Sequence, residues 1–213
     1  MRLLAAVFVL ALAAPAAAKL PPCYSGKTLY HQGGVIVFDH HHPEHDGGFD
    51  PTFYHQIYAC AGGHEWLVYE ASPYTYFSFY GIRRVGRRLG FLTHTVGYDN
   101  GDYTEVGWTD VRGHRTRIGA INVGEDGDPY VPNDRVTFAI AVDGAVAVLG
   151  GKADEFQQVA LLEPRGARYF TAARVLTETD GGLVQGSLRI DRLEVSWAQT
   201  DGTRITVDRA SGN

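Results

Sequence analysis

The chain has 213 residues, of which 45% are hydrophobic, 12% aromatic and 20% charged, with a formal charge of −5 and a pI near 6.0. That balance supports a buried core and excludes a disordered chain, and the net negative charge argues against nucleic acid as a partner. Past the first 18 positions no apolar stretch approaches the length of a membrane span.

Met1–Ala18 reads as a secretory signal: Arg2, an apolar run from Leu3 to Leu12, then small residues ahead of Lys19. It predicts a secreted or periplasmic protein. Residues 19–213 then form one all-β domain. Cys23 and Cys60 are an even pair in an exported chain and are expected to form a disulfide.

Gly33–Phe38 is a turn followed by an apolar strand, and Asp39–Asp46 holds four imidazoles and three carboxylates in eight positions. Those are ligands for Zn, Cu or Ni, with His40 and His42 on one side of a continuing strand, His45 beyond them and Asp39 on the other side. Against a metal site stand the following Gly47-Gly48 and the position between two strand signals, which read as a solvated loop. His64-Glu65 opens like a zinc-protease helix motif, but Val68 stands where the second His is required. Tyr74–Tyr80 alternates in a strand, with Tyr74, Tyr76, Ser78 and Tyr80 on one face and Thr75, Phe77 and Phe79 on the other. Arg83, Arg84, Arg87 and Arg88 then surround one turn. Aromatics and arginine are the residues enriched at binding hot spots, so Tyr74, Tyr76, Tyr80, Arg84, Arg87 and Arg88 are the candidate recognition surface.

Asn100-Gly101 separates Leu89–Val96 from Tyr103–Trp108 as a hairpin turn. Glu125–Asp128 with Asn133 and Asp134 offers oxygen ligands of the kind calcium takes, but Tyr130 breaks the required register, and the segment reads as a loop. Asp143-Gly144 precedes the strand Ala145–Leu149. Lys152–Leu162 is the best helix candidate and lacks an apolar stripe. Asp201-Gly202 joins Val195–Trp197 to Arg204–Val207 as a hairpin.

A repeat runs through these elements. A turn and an apolar strand recur at Gly33–Phe38, Gly86–Phe91, Asp143–Val148 and Asp191–Trp197; each is followed by a second strand, at Ile57–Gly63, Glu105–Gly113, Gln158–Gly166 and Ile205–Arg209. Four repeats over about 23–70, 73–121, 133–176 and 183–210 have the period of propeller blades, short sheets that bury their faces on their neighbours. The strand after Asp143-Gly144 and the segment Ser187-Leu188-Arg189 to Val195 and Trp197 resemble the TolB-like class of β-propeller repeats and a group of exported actinobacterial propeller-like proteins. The resemblance implies a propeller, and the length of the chain leaves room for only about four short blades. An open partial propeller or a two-sheet sandwich are the alternatives that so few repeats leave.

No serine elbow, phosphate loop or dinucleotide fingerprint is present. The expectation is therefore a secreted, non-catalytic binding module without a cofactor, whose partner is a protein or a cell-envelope polymer. A metal-binding protein using the His-rich run and a secreted hydrolase with a dispersed site are the rival expectations.

Overall fold

The computed structural model describes residues 23, 26–44, 52–71, 75–97, 101–121, 136–151, 157–166, 169–171 and 173–210. The signal segment, His45, Tyr74 and the acidic run 125–134 lie outside them, as do the side chains of His42 and Tyr76.

All regular structure among the described residues is β. Sheet 1 holds β1 (Lys27–Gln32), β2 (Val35–Glu44), β3 (Thr52–Ala61) and β4 (His64–Glu70) as an antiparallel meander. Sheet 2 repeats it with β5 (Thr75–Val85), β6 (Arg88–Gly97), β7 (Gly101–Asp110) and β8 (Thr116–Ile121). Sheet 3 follows with β9 (Thr137–Ile140), β10 (Val146–Gly151) and β11 (Gln157–Leu162), and is completed by β14 (Arg174–Thr179). Between β11 and β14 the chain leaves to form β12 (Pro164–Arg165) and β13 (Tyr169–Phe170), and β13 pairs parallel with β8 through Tyr169 and Ile118. Sheet 4 has three strands, β15 (Arg189–Ile190), β16 (Glu194–Ala198) and β17 (Arg204–Asp208).

The turn-and-strand segments of the sequence repeat fall on the second strand of each sheet, β2, β6, β10 and β16, and the matched partners on the third, β3, β7, β11 and β17. Turn chemistry explains the hairpins. Gly33, Gly34, Gly62, Gly63, Gly86, Gly144 and Gly202 all have positive φ, which an L side chain adopts only with strain.

The sheets stack face to face in chain order. The first core joins Val35, Val37, Ile57 and Ala59 of sheet 1 to Leu89 and Phe91 of sheet 2. Leu92, Val106 and Trp108, on the opposite face of sheet 2, meet Phe138, Ile140, Val146 and Val148 of sheet 3. Ala145, Ala147, Leu149, Val159 and Leu161 then face Val195 and Trp197 of sheet 4. Alternation at two-residue period sends neighbours to opposite faces. That is why β10 and β11 are buried throughout, whereas β17 alternates exposed Arg204, Thr206 and Asp208 with half-buried Ile205 and Val207. Among the described residues no core cluster joins sheet 4 back to sheet 1.

Cys23 and Cys60 are disulfide-bonded, which fastens the N-terminal segment to the third strand of sheet 1. No helix of the described residues is long and apolar enough to cross a membrane.

Candidate functional site

Asp39 and His40 leave β2 on opposite faces, as strand alternation requires. Asp39 points toward sheet 2 and accepts a hydrogen bond from His55 Nδ1 at 2.9 Å. His40 is on the outer face, 6.2 Å from the Tyr58 ring, which itself stacks on Phe38. His42 lies across from Tyr54 in the β2–β3 register. Among the described residues no group of three or more His, Cys, Asp or Glu is placed to hold a metal ion. His55, 16 positions from Asp39, carries no local signal in the sequence; only the hairpin register reveals the pair.

The Asp39–His55 pair borders a polar layer inside the sheet 1–sheet 2 interface. The Tyr69 hydroxyl donates to Glu105 Oε2 at 2.5 Å, and Thr93 donates to the same oxygen at 3.3 Å. Burial, and then the Glu105 carboxylate, raise the Tyr69 pKa above its ordinary value. The Phe77 ring touches both pairs, 5.6 Å from His55 and 5.2 Å from Tyr69. Deeper in the interface, Trp66 Nε1 donates to Thr109 Oγ1 at 2.8 Å. These are contacts that fix how one sheet sits on the next, because buried polar groups with directional partners set a register that apolar packing leaves loose.

The described aromatics of β5 are half-buried, on both faces of the strand. Phe77 and Phe79 pack toward sheet 1, and Phe79 lies 4.7 Å from Phe91. Tyr80 packs toward sheet 3, and burial pushes its pKa up to about 12. Its buried hydroxyl has no hydrogen-bond partner among the described residues. Tyr76 sits opposite Val96 in the β5–β6 register.

The arginines at the end of β5 and around the turn that follows are divided between structural ties and open positions. Arg84 Nη1 donates to the Gly33 carbonyl at 2.7 Å and its Nε to Gly86 at 3.0 Å, linking the first turn of sheet 1 to that of sheet 2. Arg87 pairs with Asp110 at 2.9 Å. Arg88 donates to the Val142 carbonyl and lies 4.8 Å from the Trp108 ring. Burial, and then the Arg87 charge, lower its pKa. Arg83 lies 4.6 Å from the Phe138 ring. Burial, with the neighbouring Arg189 charge, lowers its pKa as well.

The turns between first and second strands of sheets 2, 3 and 4 converge at one end of the stack. There Val85, Ile140, Val142, Ile190, Asp191, Arg192 and Leu193 line an open cleft of about 540 Å³. Ile140 forms the floor, 5% exposed, while Val142 and Leu193 are 58% and 75% exposed at the rim. The Asp191 carboxylate is held by the backbone N–H groups of Leu193 (2.7 Å) and Glu194 (2.9 Å), which keep its pKa below the usual carboxylate range. Asp143 and Glu163 are both engaged by Arg209, at 3.0 and 2.7 Å. Among the described residues no carboxylate pairs with Arg83, Arg189 or Arg192. The lining therefore carries one carboxylate, Asp191, and one guanidinium, Arg192, around an apolar floor, with Arg83 and Arg189 on the adjoining strands β5 and β15.

The recognition surface expected from the sequence, Tyr74–Arg88, does not include Val142 or Leu193. The signal that finds them is the repeat itself, since Gly86, Asp143-Gly144 and Asp191 mark the same turn in three successive units. Compared with known proteins, the chain matches no family model, no curated protein and no solved structure.

Proposed function

We propose that the protein is an exported, non-catalytic binding module that takes an acidic segment of a protein partner, anchored by an apolar side chain, into the cleft at the turn end of sheets 2, 3 and 4. The observation that carries this reading is the convergence of three equivalent turns on one cleft with two exposed aliphatic residues at its rim. Exposed apolar surface framed by polar residues marks interaction sites. The size of the cleft suits a few side chains, and the unpaired arginines beside it favour a negative partner and speed its approach. The reading takes the four stacked sheets as propeller-like blades, supported by the repeat and by the three successive inter-sheet cores. Export rests on Met1–Ala18 and agrees with the disulfide.

The test is selection of a displayed random-peptide library on the oxidised protein. The expected outcome is enrichment of peptides with Asp or Glu beside Leu, Ile or Phe, and competition among them for one site. Enrichment of basic or purely polar peptides, or no enrichment, would contradict the proposal.

A further inference from the structure

The outer edges of the four sheets are not alike. On sheet 1 the edge strand β4 carries an extra residue between the pairs Ile57–Tyr69 and Tyr58–Leu67, and on sheet 3 the edge strand β14 is broken between Val159–Thr177 and Ala160–Val175. Such bulges twist an edge away from further pairing. The edge of sheet 2 is covered where β13 pairs with β8. On sheet 4 the β16–β17 register runs unbroken from Glu194–Asp208 to Ala198–Arg204, and among the described residues no strand covers the far side of β17.

The backbone of β17 is set out for pairing. Arg209 N–H donates to the Leu193 carbonyl at 2.7 Å, and Gln199 N–H to the Thr203 carbonyl at 2.8 Å. Hydrogen-bonded positions alternate in an antiparallel pair, so residues 203, 205, 207 and 209 turn their polar groups toward β16. Arg204, Thr206 and Asp208 turn theirs to the open side. Their side chains share the exposed face of the sheet.

We infer that β17 is a self-complementary edge at which a second copy of this chain docks antiparallel, centred on Thr206. In that register Thr206 meets its own equivalent, and Arg204 lies opposite Asp208 of the second copy on both sides of the two-fold axis. Every outward N–H and C=O of the three residues finds a partner. Opposite charges directly across an antiparallel pair favour it, and like charges oppose it. Isologous pairing of one patch with itself closes at two copies. Arg204 Nη2 now bonds Ser196 Oγ at 3.1 Å and Ser187 O at 3.4 Å across its own sheet, and would swing to the new carboxylate.

The experiment is sedimentation equilibrium on the full oxidised chain, which has a mass of 23.3 kDa. The wild type is expected at twice the single-chain mass. Arg204→Asp and Asp208→Arg each place like charges opposite one another and return the single-chain mass. Combining the two substitutions restores complementarity and the doubled mass. Thr206→Pro removes an outward N–H without touching a β16 bond, a position where an edge strand accepts proline; it gives single chains whose near-ultraviolet circular dichroism, reporting on buried Trp197, is unchanged. A wild type at single-chain mass at about 100 µM, or a dimer indifferent to Thr206→Pro and to both charge reversals, overturns the inference.

Discussion

Replacing Arg117 by methionine measures what ties the β12–β13 excursion to sheet 2. Arg117 is 6% exposed. Its guanidinium donates to the carbonyls of Tyr169 and Gly166, the latter at 2.6 Å, and lies 5.3 and 5.6 Å from the Trp108 and Phe170 rings. A hydrogen bond from a charged donor contributes about 1.5–3 kcal/mol, and a cation over a ring about 0.5–2 kcal/mol. Opposing these, burial disfavours the charge, as the lowered Arg117 pKa records, and Nε is buried without a partner. Methionine keeps the apolar stem, and both released carbonyls belong to exposed residues that water reaches. The net loss is then about 2–3 kcal/mol, or a fall in Tm of about 5–10 °C for a chain of this size. Arg117→Lys, with a point charge in place of a fork, falls between the two. Hydrogen exchange supplies the local readout, since Thr171 N–H donates to the Glu163 carbonyl at 2.8 Å across the same excursion and loses protection first. A loss below about 0.5 kcal/mol, or unchanged exchange at Thr171, would refute this account of how the excursion is held.

Three further outcomes are expected. Reduction, or Cys23→Ser with Cys60→Ser, removes a cross-link that closes a loop of 37 positions and costs about 4 kcal/mol in the chain-entropy model, read as the Tm difference with and without dithiothreitol. Gly90→Ala drives a Cβ into Ile140 Cδ1 and places it 2.7 Å from Phe138 Cε2; this overpacks the sheet 2–sheet 3 core by about 1–3 kcal/mol, measured by urea unfolding. Burial pushes the Asp110 pKa up, but the backbone N–H groups of Arg112 and Gly113 and the Arg87 charge outweigh it and leave a net depression. Its stabilising contribution is therefore complete above the ordinary carboxylate range and disappears as pH falls through the depressed value, so Asp110→Asn should flatten the acid limb of the stability–pH curve, and an unchanged limb would count against it.

The all-β class and most hairpins were legible because local chemistry determines them. Asp201-Gly202 supplies a turn, with Gly202 at φ 87°, and strict alternation in Arg204–Val207 marks a strand with one buried face. Phe77 and Phe79 pack inward as the alternation indicates. The opposite face is covered as well: Tyr80 is half-buried against sheet 3, because sheet 2 has a neighbouring sheet on each side, and period-two patterning shows which residues share a face without showing what covers it. Asp39–His55, Tyr69–Glu105 and the cleft share a different origin. Each joins residues brought together by register or by stacking, and a run such as Asp39–Asp46 draws attention by composition while its pairing partner stands on another strand. Arg84 and Arg88 illustrate the same limit: clustered in sequence, they reach the carbonyls of Gly33 and Val142 in two different neighbouring sheets.

Whether the convergent turns bind an acidic and apolar segment is decided by titrating a selected acidic peptide calorimetrically into the wild type, Leu193→Asp and Thr28→Asp. Leu193→Asp removes a rim anchor and sets a carboxylate against the peptide, so its affinity should fall at least about tenfold, equivalent to about 1.4 kcal/mol. Thr28, exposed on β1 of sheet 1, lies outside the cleft, and its variant should bind as the wild type does. Equal affinities across all three proteins, or a loss in Thr28→Asp matching that in Leu193→Asp, would contradict the assignment.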